Sequence, residues 1–491
     1  MSIGKYKKAT ELENKSAETS KASSNVDVIE NALVSKDQKA AELEKRYPET
    51  NQIQSKAVVI EKDGVKVRKE GRQLSTSETR RLTQINCEEA GRSVRLLEDE
   101  PYYHGFMTRE EAEKILKKDV RKTDVAGRHH FVISVMHKQT VKHFLIRRTV
   151  KKRLFWVHRF AFKTISDLVQ YHLRNSEPLC DEDAFIQKPC LKQGWQLNPE
   201  QIEPHEKIGE GAFGEVYKGL LQDGMWGARI PVAIKTLHST QMTASDRIQF
   251  LKEANIMREF KHENVIRLLG VCTSKEPIMI VMELASGGSL LSRLKDFKNP
   301  PSTDNKVNYV FGAARGMAYL QSKEIIHRDI AARNCLLGED DVLKISDFGL
   351  SFIGKTLREK QLKKVPLRWL SPETLKNGVY STKTDVYSFS IMVWEIFSFG
   401  QLPFYKYDNK VLRTMIIEKK AVLPKCLSEI PPDMNALRLR CMDPDPDKRP
   451  DFFEIEDIIS KMNTVVKPQP PSFLSKMVTA ITDYIYGRIF S

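Results

Sequence analysis

The 491-residue chain lacks the features that mark membrane-spanning proteins, secreted proteins and proteins stabilised by structural metal sites. No apolar run is long enough to cross a bilayer, and the first residues contain no secretory signal core. The seven cysteines include no C-x-x-C pair, which disfavours a disulfide framework and predicts reduced thiols. Ser2 stands where N-myristoylation requires glycine. These absences predict a cytoplasmic protein, with any attachment to the plasma membrane being peripheral.

Aromatic residues are nearly absent from the first fifth of the chain. Residues 1–95 contain only Tyr6 and Tyr47 and are rich in Lys, Glu, Ser and Asn. Such a composition cannot bury enough apolar surface to offset the entropy of ordering. We therefore expect a mostly disordered polar arm over 1–95.

Positive charge is concentrated in one region. The net charge is +15, and residues 121–163 hold twelve Lys and Arg but a single acid, Asp124. Nucleic acid, acidic lipid and phosphorylated protein are all partners that such a surface attracts. No groove-reading helix or stacking platform is evident, so nucleic acid is the poorest of the three.

Two short polar segments combine residues that phosphoryl transfer requires. The run His327–Leu337 reads HRDIAARNCLL, and Asp347-Phe348-Gly349 begins thirteen residues after Asn334. Transfer of a phosphoryl group needs an acid that orients a hydroxyl and oxygen ligands for a divalent metal.

A glycine-rich segment precedes these motifs. It follows the pattern G-x-G-x-x-G-x-V over Ile208, Gly209, Glu210, Gly211, Ala212, Phe213, Gly214, Glu215 and Val216. Glycines let a backbone approach phosphates closely, although alone such a segment is as often a simple turn. Val232–Lys235 then alternates as a strand, and a helical stretch after it offers Glu253 as a partner for Lys235.

In this order, the motifs of residues 202–463 resemble the protein kinases. The resemblance implies a bilobal fold that uses ATP and Mg²⁺. Lys235 would hold the α- and β-phosphates while Glu253 holds Lys235. Asp329 would accept the proton of the attacking hydroxyl, and Asn334 with Asp347 would bind magnesium.

The same resemblance places an adenine pocket and two structural carboxylates. Met282 would stand at the back of the pocket, and the hinge would follow as Glu283, Leu284 and Ala285. Ala233 and Val216 would line the nucleotide. Glu373 would pair with Arg449, and Asp385 would brace the catalytic loop.

Two features distinguish tyrosine from serine or threonine as the acceptor. Serine/threonine kinases usually place a lysine two residues after the catalytic aspartate, where this chain has Ala331. A positive charge returns as Arg333, an arrangement similar to that of protein-tyrosine kinases. Pro366–Trp369 likewise resembles the tyrosine-kinase floor that leaves room for a phenol ring.

Residues 102–190 resemble a Src-homology-2 domain, an antiparallel sheet flanked by two helices that binds phosphotyrosine peptides. The resemblance implies that Arg109, Arg121 and His143 line the phosphate pocket. Arg121 follows Leu116 by only five positions, where the family has about nine, so most of the leading half of the central strand is missing. Arg121 is thus either the phosphate ligand or a surface arginine on a shortened loop.

The order of domains resembles the Fes/Fer non-receptor tyrosine kinases and implies an α+β multidomain protein. A linker over 191–201 joins the two domains, and about 100 polar residues stand where the family has a long membrane-curving region. The tail over 464–491 has the spacing of an amphipathic helix that docks on the kinase, touches a membrane or exposes tyrosines. Tyrosine-phosphorylated proteins, protein substrates and an acidic membrane surface are the expected partners, and nucleic acid is not.

The activation segment Asp347–Glu373 contains no tyrosine. In the family a phosphorylated tyrosine there pairs with the arginine that precedes the catalytic aspartate. Glu359 lies near that position, and one hypothesis is that it supplies permanent negative charge to Arg328. The alternative is that Glu359 is an exposed glutamate among five basic residues.

For the protein as a whole, a non-catalytic scaffold remains the alternative function to a kinase.

Overall fold

The structure, a computed structural model, describes about two thirds of the chain. The described residues are 56–65, 83–84, 97, 100, 102–105, 107, 111–113, 128–181, 183–211, 214–222, 229–237, 244–359 and 365–462. For 56–65 and 83–84 only the backbone is described. Four predicted site residues (Arg109, Arg121, Ala212 and Phe213) and the tail helix predicted over 464–491 lie outside these ranges.

The described residues of the N-terminal domain form two small sheets and one helix of eleven residues. Its strands are β1 (Lys56–Val65), β2 (Thr83–Gln84), β3 (Arg128–His137), β4 (Thr140–Leu145), β5 (Arg147–Arg148), β6 (Phe155–Trp156), β7 (Phe160–Phe162) and β8 (Lys188–Pro189). One sheet has the order β4-β3-β1-β8, and the other has the order β2-β7-β6-β5. A short helical segment at 111–113 precedes β3.

Helix α1 (Ile165–Asn175) closes the apolar core of this domain. Thr164 begins the helix because its hydroxyl accepts a hydrogen bond from the Asp167 amide, and Ser176 ends it in the left-handed conformation. The helix buries Ile165 and Leu168 against the sheet. The N-terminal domain is thus an α+β unit.

The structure differs from the expected disordered arm at two places. Residues 56–65 form β1 and residues 83–84 form β2, and both strands pair with strands of the N-terminal domain. The first segment contains Val58, Val59 and Ile60, three consecutive β-branched residues that favour an extended backbone. The overall composition of the arm concealed this local preference.

The upper lobe of the C-terminal domain is a five-stranded antiparallel sheet. Its strands are β9 (Ile202–Gly211), β10 (Gly214–Gln222), β11 (Arg229–Thr236), β12 (Leu268–Cys272) and β13 (Met279–Glu283), in the order β12-β13-β11-β10-β9. Helix α2 (Ala244–Met257) packs against this sheet through Phe250, Leu251 and Ala254. This arrangement brings the helix beside the middle strand, β11.

The lower lobe is mainly helical, with short strands near the cleft. Its helices are α3 (Leu290–Leu294), α4 (Thr303–Ser322), α5 (Pro372–Asn377), α6 (Thr382–Phe397), α7 (Asn409–Ile417), α8 (Pro432–Cys441) and α9 (Phe452–Ser460). Its strands are β14 (Gly288–Ser289), β15 (Ile325–Ile326), β16 (Cys335–Leu337), β17 (Leu343–Ile345), β18 (Phe352–Ile353), β19 (Thr356–Arg358) and β20 (Val379–Ser381). Within the described ranges, no helix combines the length and apolarity that crossing a bilayer would need.

Helix α6 forms the centre of the lower lobe. Every residue from Thr384 to Phe397 is buried, and the apolar ones pack in a core that extends into the upper lobe. Asp385 and Glu395 lie on this helix and are the two carboxylates that it takes out of solvent. A buried carboxylate must find hydrogen-bond donors, and here they come from the catalytic loop.

The N-terminal domain touches the upper lobe directly. The hydroxyl of Thr273 donates a hydrogen bond of 2.9 Å to the backbone oxygen of His104. Gly105 has a φ of +71°, and a Cβ there would lie 2.3 Å from the Thr273 oxygen. Only glycine therefore permits this approach. Between the domains, Trp195 lies under the guanidinium of Arg258, the residue after helix α2, at 4.7 Å.

Candidate active site

A buried ion pair connects strand β11 with helix α2. The Lys235 ammonium lies 2.7 and 2.8 Å from the two oxygens of Glu253, and both side chains are buried. Desolvation works against the charged ammonium, yet the carboxylates of Glu253 and Asp347 raise the pKa of Lys235 above its ordinary value. Lys235 is therefore a permanent cation, fixed at the base of the glycine-rich hairpin.

Asp329 is held at the centre of the catalytic loop. The side-chain amide of Asn334 donates 2.7 Å to the backbone oxygen of Asp329, and Arg333 donates to its carboxylate. Burial raises the pKa of Asp329, while the Arg333 guanidinium opposes this shift. A carboxylate with raised basicity that still faces the cleft is suited to accept a proton from a hydroxyl.

Two buried carboxylates hold the loop backbone from below. Asp385 accepts hydrogen bonds from the amides of His327 at 2.7 Å and Arg328 at 2.9 Å. Glu395 accepts from the Ala332 amide at 3.1 Å. Burial raises the pKa of each to about 7. The resemblance to protein kinases predicted that Asp385 braces the loop. It did not predict the role of Glu395, because nothing in the sequence distinguishes this residue from an ordinary helical glutamate.

Asp347 follows Ser346, whose amide is hydrogen-bonded to the loop at Asn334. Its carboxylate is half-exposed and lies 3.8 Å from the Lys235 ammonium. Phe348 beside it is buried, with its ring 4.8 Å from that of Phe260. The side chain of Gln249 on helix α2 donates to the Gly349 oxygen, a contact that no sequence motif predicts. Helix α2 therefore holds both Lys235 and the backbone after Asp347.

One continuous set of contacts joins the predicted residues. Lys235 contacts Glu253 and Asp347, the Ser346 amide donates 2.9 Å to the Asn334 oxygen, and Asn334 contacts Asp329. The groups come from β11, α2 and two loops of the lower lobe. The fold thus brings together residues that are up to 112 positions apart in the sequence, counted from Lys235 to Asp347.

The described residues among those predicted to bind the nucleotide lie on strands β9, β10, β11 and β13 or directly after β13. Gly209 pairs with Val216 in the β9–β10 hairpin, and Ala233 pairs with Met282 across β11 and β13. Gly214 cannot be replaced without movement, because a Cβ there would lie 1.8 Å from the Thr236 oxygen. Ile208, Glu210 and Gly211 continue β9, Glu215 lies on β10, and Ala285 follows Glu283 at the end of β13.

Arg333 and Trp369 form the surface beside Asp329. The Arg333 guanidinium lies over the Trp369 ring at 4.3 Å, and the indole donates 3.0 Å to Glu395. Ala331 is fully buried. It stands at the position where serine/threonine kinases usually have a lysine. The side chain that covers Trp369 beside Asp329 is therefore Arg333, and the position of the lysine is taken by a buried alanine.

Glu359 occupies the position that the charge hypothesis requires. Its carboxylate lies 2.6 Å from the Arg328 guanidinium, which also donates 2.9 Å to the Leu350 oxygen and covers the Tyr380 ring at 4.2 Å. The Arg328 side chain is 9% exposed. Glu359 is therefore paired with a buried cation. Elsewhere in the lobe, Arg449 and Glu373 form a second buried pair at 2.7 and 3.0 Å.

His143 is the one predicted phosphate ligand that lies within the described residues. Nδ1 of His143 shares a hydrogen bond of 2.8 Å with the Ser134 hydroxyl, and Nε2 lies 3.2 Å from the Glu113 carboxylate. His143 and Ser134 are direct partners on β4 and β3. Arg109 and Arg121, the other two predicted ligands, lie outside the described residues.

Comparison with known proteins identifies both domains. Residues 202–459 match the family described as protein tyrosine and serine/threonine kinase, and residues 102–172 match the SH2 domain. The chain is 44% identical over 350 residues to spermatocyte protein spe-8 of Caenorhabditis elegans, covering 70% of this chain and 68% of that protein. It is 40% identical over 311 residues to Fer-related kinase 1 of the same organism, covering 62% of this chain and 78% of that protein.

A more distant relative is a longer protein, of which the matched residues make up less than half. Human tyrosine-protein kinase Fer is 35% identical over 382 residues, which cover 76% of this chain and 45% of Fer. The kinase motifs, the SH2 match and these relatives agree with one another. The chain belongs to the Fes/Fer-like non-receptor protein-tyrosine kinases, with an SH2 domain followed by a tyrosine kinase domain.

Proposed function

We propose that this is a catalytically active kinase in which Asp329 is the base, Lys235 the phosphate-binding cation, and Asn334 with Asp347 the metal ligands. The observation that carries the proposal is the Lys235–Glu253 ion pair at 2.7 Å with Asp347 at 3.8 Å from the same ammonium. Because a kinase needs both contacts at once, their simultaneous presence favours catalysis over a scaffold role.

ATP and Mg²⁺ fit the chemistry of these groups. Asp347 and Asn334 offer carboxylate and amide oxygens, which hard divalent cations prefer. When bound, Mg²⁺ would neutralise charge on the phosphates. Lys235 is placed to contact phosphate oxygens, and the β9–β10 hairpin is placed to cover them. Ile208, Val216, Ala233 and Met282 would enclose the base, with Glu283 and Ala285 supplying backbone groups.

Catalysis would depend on positioning by residues of the chain itself. The Asp329 carboxylate would accept a hydrogen bond from the substrate hydroxyl and then its proton. Arg333 would hold that carboxylate and stabilise negative charge near it. The aromatic floor at Trp369 would admit a phenol ring at the distance from Asp329 that its hydroxyl requires.

The SH2 domain would bring the kinase to tyrosine-phosphorylated proteins. His143 is fixed by Ser134 and lies on the sheet face where a phosphate pocket is expected. Arg109 and Arg121 remain predicted ligands of the phosphate. A bidentate arginine contact would supply most of the phosphate affinity, so this role is testable residue by residue.

A second surface of the domain favours contact with an acidic membrane. The turn after β5 exposes Lys151, Lys152 and Arg153, and Arg147 and Arg148 are exposed on β5 itself. Each such cation contributes about 1 kcal/mol near an anionic bilayer. We propose a cytoplasmic site of action, with this surface allowing peripheral binding at the plasma membrane.

Phosphate incorporation into a Glu/Tyr copolymer tests the enzymatic proposal. With ATP and Mg²⁺, the purified chain should label the copolymer, and Asp329→Asn should abolish labelling. Asp433→Asn, at an exposed position in the first turn of α8, is the matched control and should retain full activity. Absence of labelling by the wild-type protein would favour the scaffold.

A further inference from the structure

The central sheet of the SH2 domain contains a strand from outside the contiguous domain. Strand β1 pairs antiparallel with β3 from Ala57 opposite Val135 to Val65 opposite Arg128, and pairs parallel with β8 at Lys56 and Ala57. It is therefore an interior strand of the order β4-β3-β1-β8. The domain match, by contrast, begins at residue 102.

The sequence explains why a position in the sheet is open. Only fourteen residues, 114–127, separate the described helical segment from β3. Arg121 follows Leu116 too closely for the usual central strand to fit between them. By its sequence the contiguous domain is thus too short for the usual central strand, and β1 lies beside β3.

A second pairing from the same arm supports the first. Strand β2, at Thr83 and Gln84, pairs parallel with β7 at Phe160 and Ala161 in the other sheet. Two separate segments of the arm therefore lie against two separate sheets of one domain. The 36 residues between Val65 and Tyr102 can span roughly 120 Å when extended, so one chain can make both contacts.

We propose that residues 56–65 are the central strand of this SH2 domain and that phosphopeptide binding requires them. Without β1, strand β3 would expose a row of backbone groups along a segment whose Val132, Ile133 and Val135 are buried. Unpaired backbone groups at a buried strand are strongly unfavourable, so β3 needs a partner there.

The strand also borders the phosphate-binding face. Val59 is the register partner of Ser134, and Ser134 is the partner of His143 on β4. Positions 59, 134 and 143 therefore form one row across three strands. Loss of β1 would free β3 to move, and the Ser134–His143 hydrogen bond would lose its fixed position. This part of the inference rests on the proposed phosphotyrosine binding.

A designed disulfide tests the strand in the full chain. Lys62 is the partner of Phe131, and paired positions in antiparallel strands have the spacing that a disulfide needs. The Lys62→Cys/Phe131→Cys variant should form an intramolecular disulfide under mild oxidation, seen by peptide mapping. The Lys62→Cys/Val135→Cys variant, displaced by four residues along β3, is the matched control and should form none.

The outcomes of the disulfide test are decisive. An intramolecular link only in the paired variant supports the proposal. Equal linking in both variants, or none in either, overturns it. A disulfide between two chains would overturn assignment within one chain and show that the strand is exchanged between copies.

A proline variant tests the functional requirement. Consecutive amides of a strand point to opposite neighbours, so Val59→Pro/Ile60→Pro removes at least one bond to β3. Amide hydrogen exchange at 131–135 should become at least tenfold faster, and phosphotyrosine-peptide affinity should fall at least tenfold. Ser75→Pro, in the arm but outside both strands, is the control and should change neither.

The two measurements separate this inference from the proposed function. If the wild-type chain binds no phosphopeptide while the proline variant accelerates exchange, the strand assignment stands and the phosphotyrosine function fails. If the variant leaves exchange and affinity unchanged, the strand assignment fails.

Discussion

Replacing Glu359 with alanine should lower the turnover of the unphosphorylated enzyme. Arg328 directly precedes Asp329 in the chain, and its guanidinium lies 2.6 Å from the Glu359 carboxylate. Arg328 itself has a φ of +73°, so its backbone is kept in an unfavourable region by its contacts. Loss of the carboxylate would leave a buried cation with fewer partners and would allow the segment before Asp329 to relax.

The expected decrease in turnover follows from how deeply the Arg328–Glu359 ion pair is buried. Removing one partner of a fully buried ion pair costs about 3–5 kcal/mol. The Glu359 side chain is 32% exposed, and Arg328 would keep its bond to the Leu350 oxygen and its contact with Tyr380. We therefore expect about 1–3 kcal/mol, since solvent screens a partly exposed pair. Expressed in kcat, this is a decrease of about 5- to 150-fold.

Steady-state copolymer phosphorylation by phosphatase-treated enzyme measures this effect. Glu324→Ala is the matched control, because Glu324 pairs with Lys355 at 3.5 Å on the exposed surface of the same region. Exposed pairs contribute about 0–1 kcal/mol, so this variant should retain near-normal kcat. A double-mutant cycle with Arg328→Ala then isolates the coupling between the two charges.

Two results would refute the reasoning. One is a kcat of Glu359→Ala within twofold of wild type. The other is full additivity of Glu359→Ala and Arg328→Ala, because a contact between the two charges requires coupling. Either result would leave Glu359 as the exposed glutamate of the alternative hypothesis, and an activating charge would have to come from elsewhere.

Three further changes test other parts of the structure. Gly105→Ala should weaken docking of the SH2 domain on the upper lobe and raise protease sensitivity of the linker, whereas Gly288→Ala, with similar φ but open space around it, should not. Burial raises the pKa of Glu395 to about 7. The contribution of this group to the free energy of unfolding is therefore fully present below about pH 4.5 and is lost as the pH rises through 7. Urea unfolding should therefore show Glu395→Gln gaining up to about 3 kcal/mol relative to wild type between pH 5 and 8, and a pH-independent difference would contradict this. Met282→Gly should increase affinity for inhibitors bearing bulky groups, measured by competition with ATP; unchanged affinity would place Met282 away from the pocket.

Short motifs made the kinase domain recognisable from the sequence. Asp329 and Asn334 lie five residues apart on one loop, so their chemistry is visible in a single segment. Lys235 and Glu253 were paired by their position on a strand and the following helix, and the structure places them 2.7 Å apart. In each case local spacing carries the information, because a loop or a strand–helix unit largely determines its own geometry.

The contacts that sequence reasoning missed depend on distant parts of the chain. Glu395 acts on the loop only because helix α6 passes beneath Ala332, 63 residues earlier. Gln249 reaches Gly349 across 100 residues. Neither residue differs in type from those on a solvated helix face. Their roles arise from tertiary packing, which no local pattern encodes.

Strand β1 shows the same limit at the level of a whole element. Its residues have strand propensity, but low aromatic content and high charge around them indicated disorder. What decides the outcome is the open position in a sheet whose other strands begin more than sixty residues later, at Arg128. A segment of marginal propensity becomes a strand when an adjacent buried strand would otherwise lack partners. The shortened central segment before β3 and the strand in the arm are therefore one feature of this chain, and each accounts for the other.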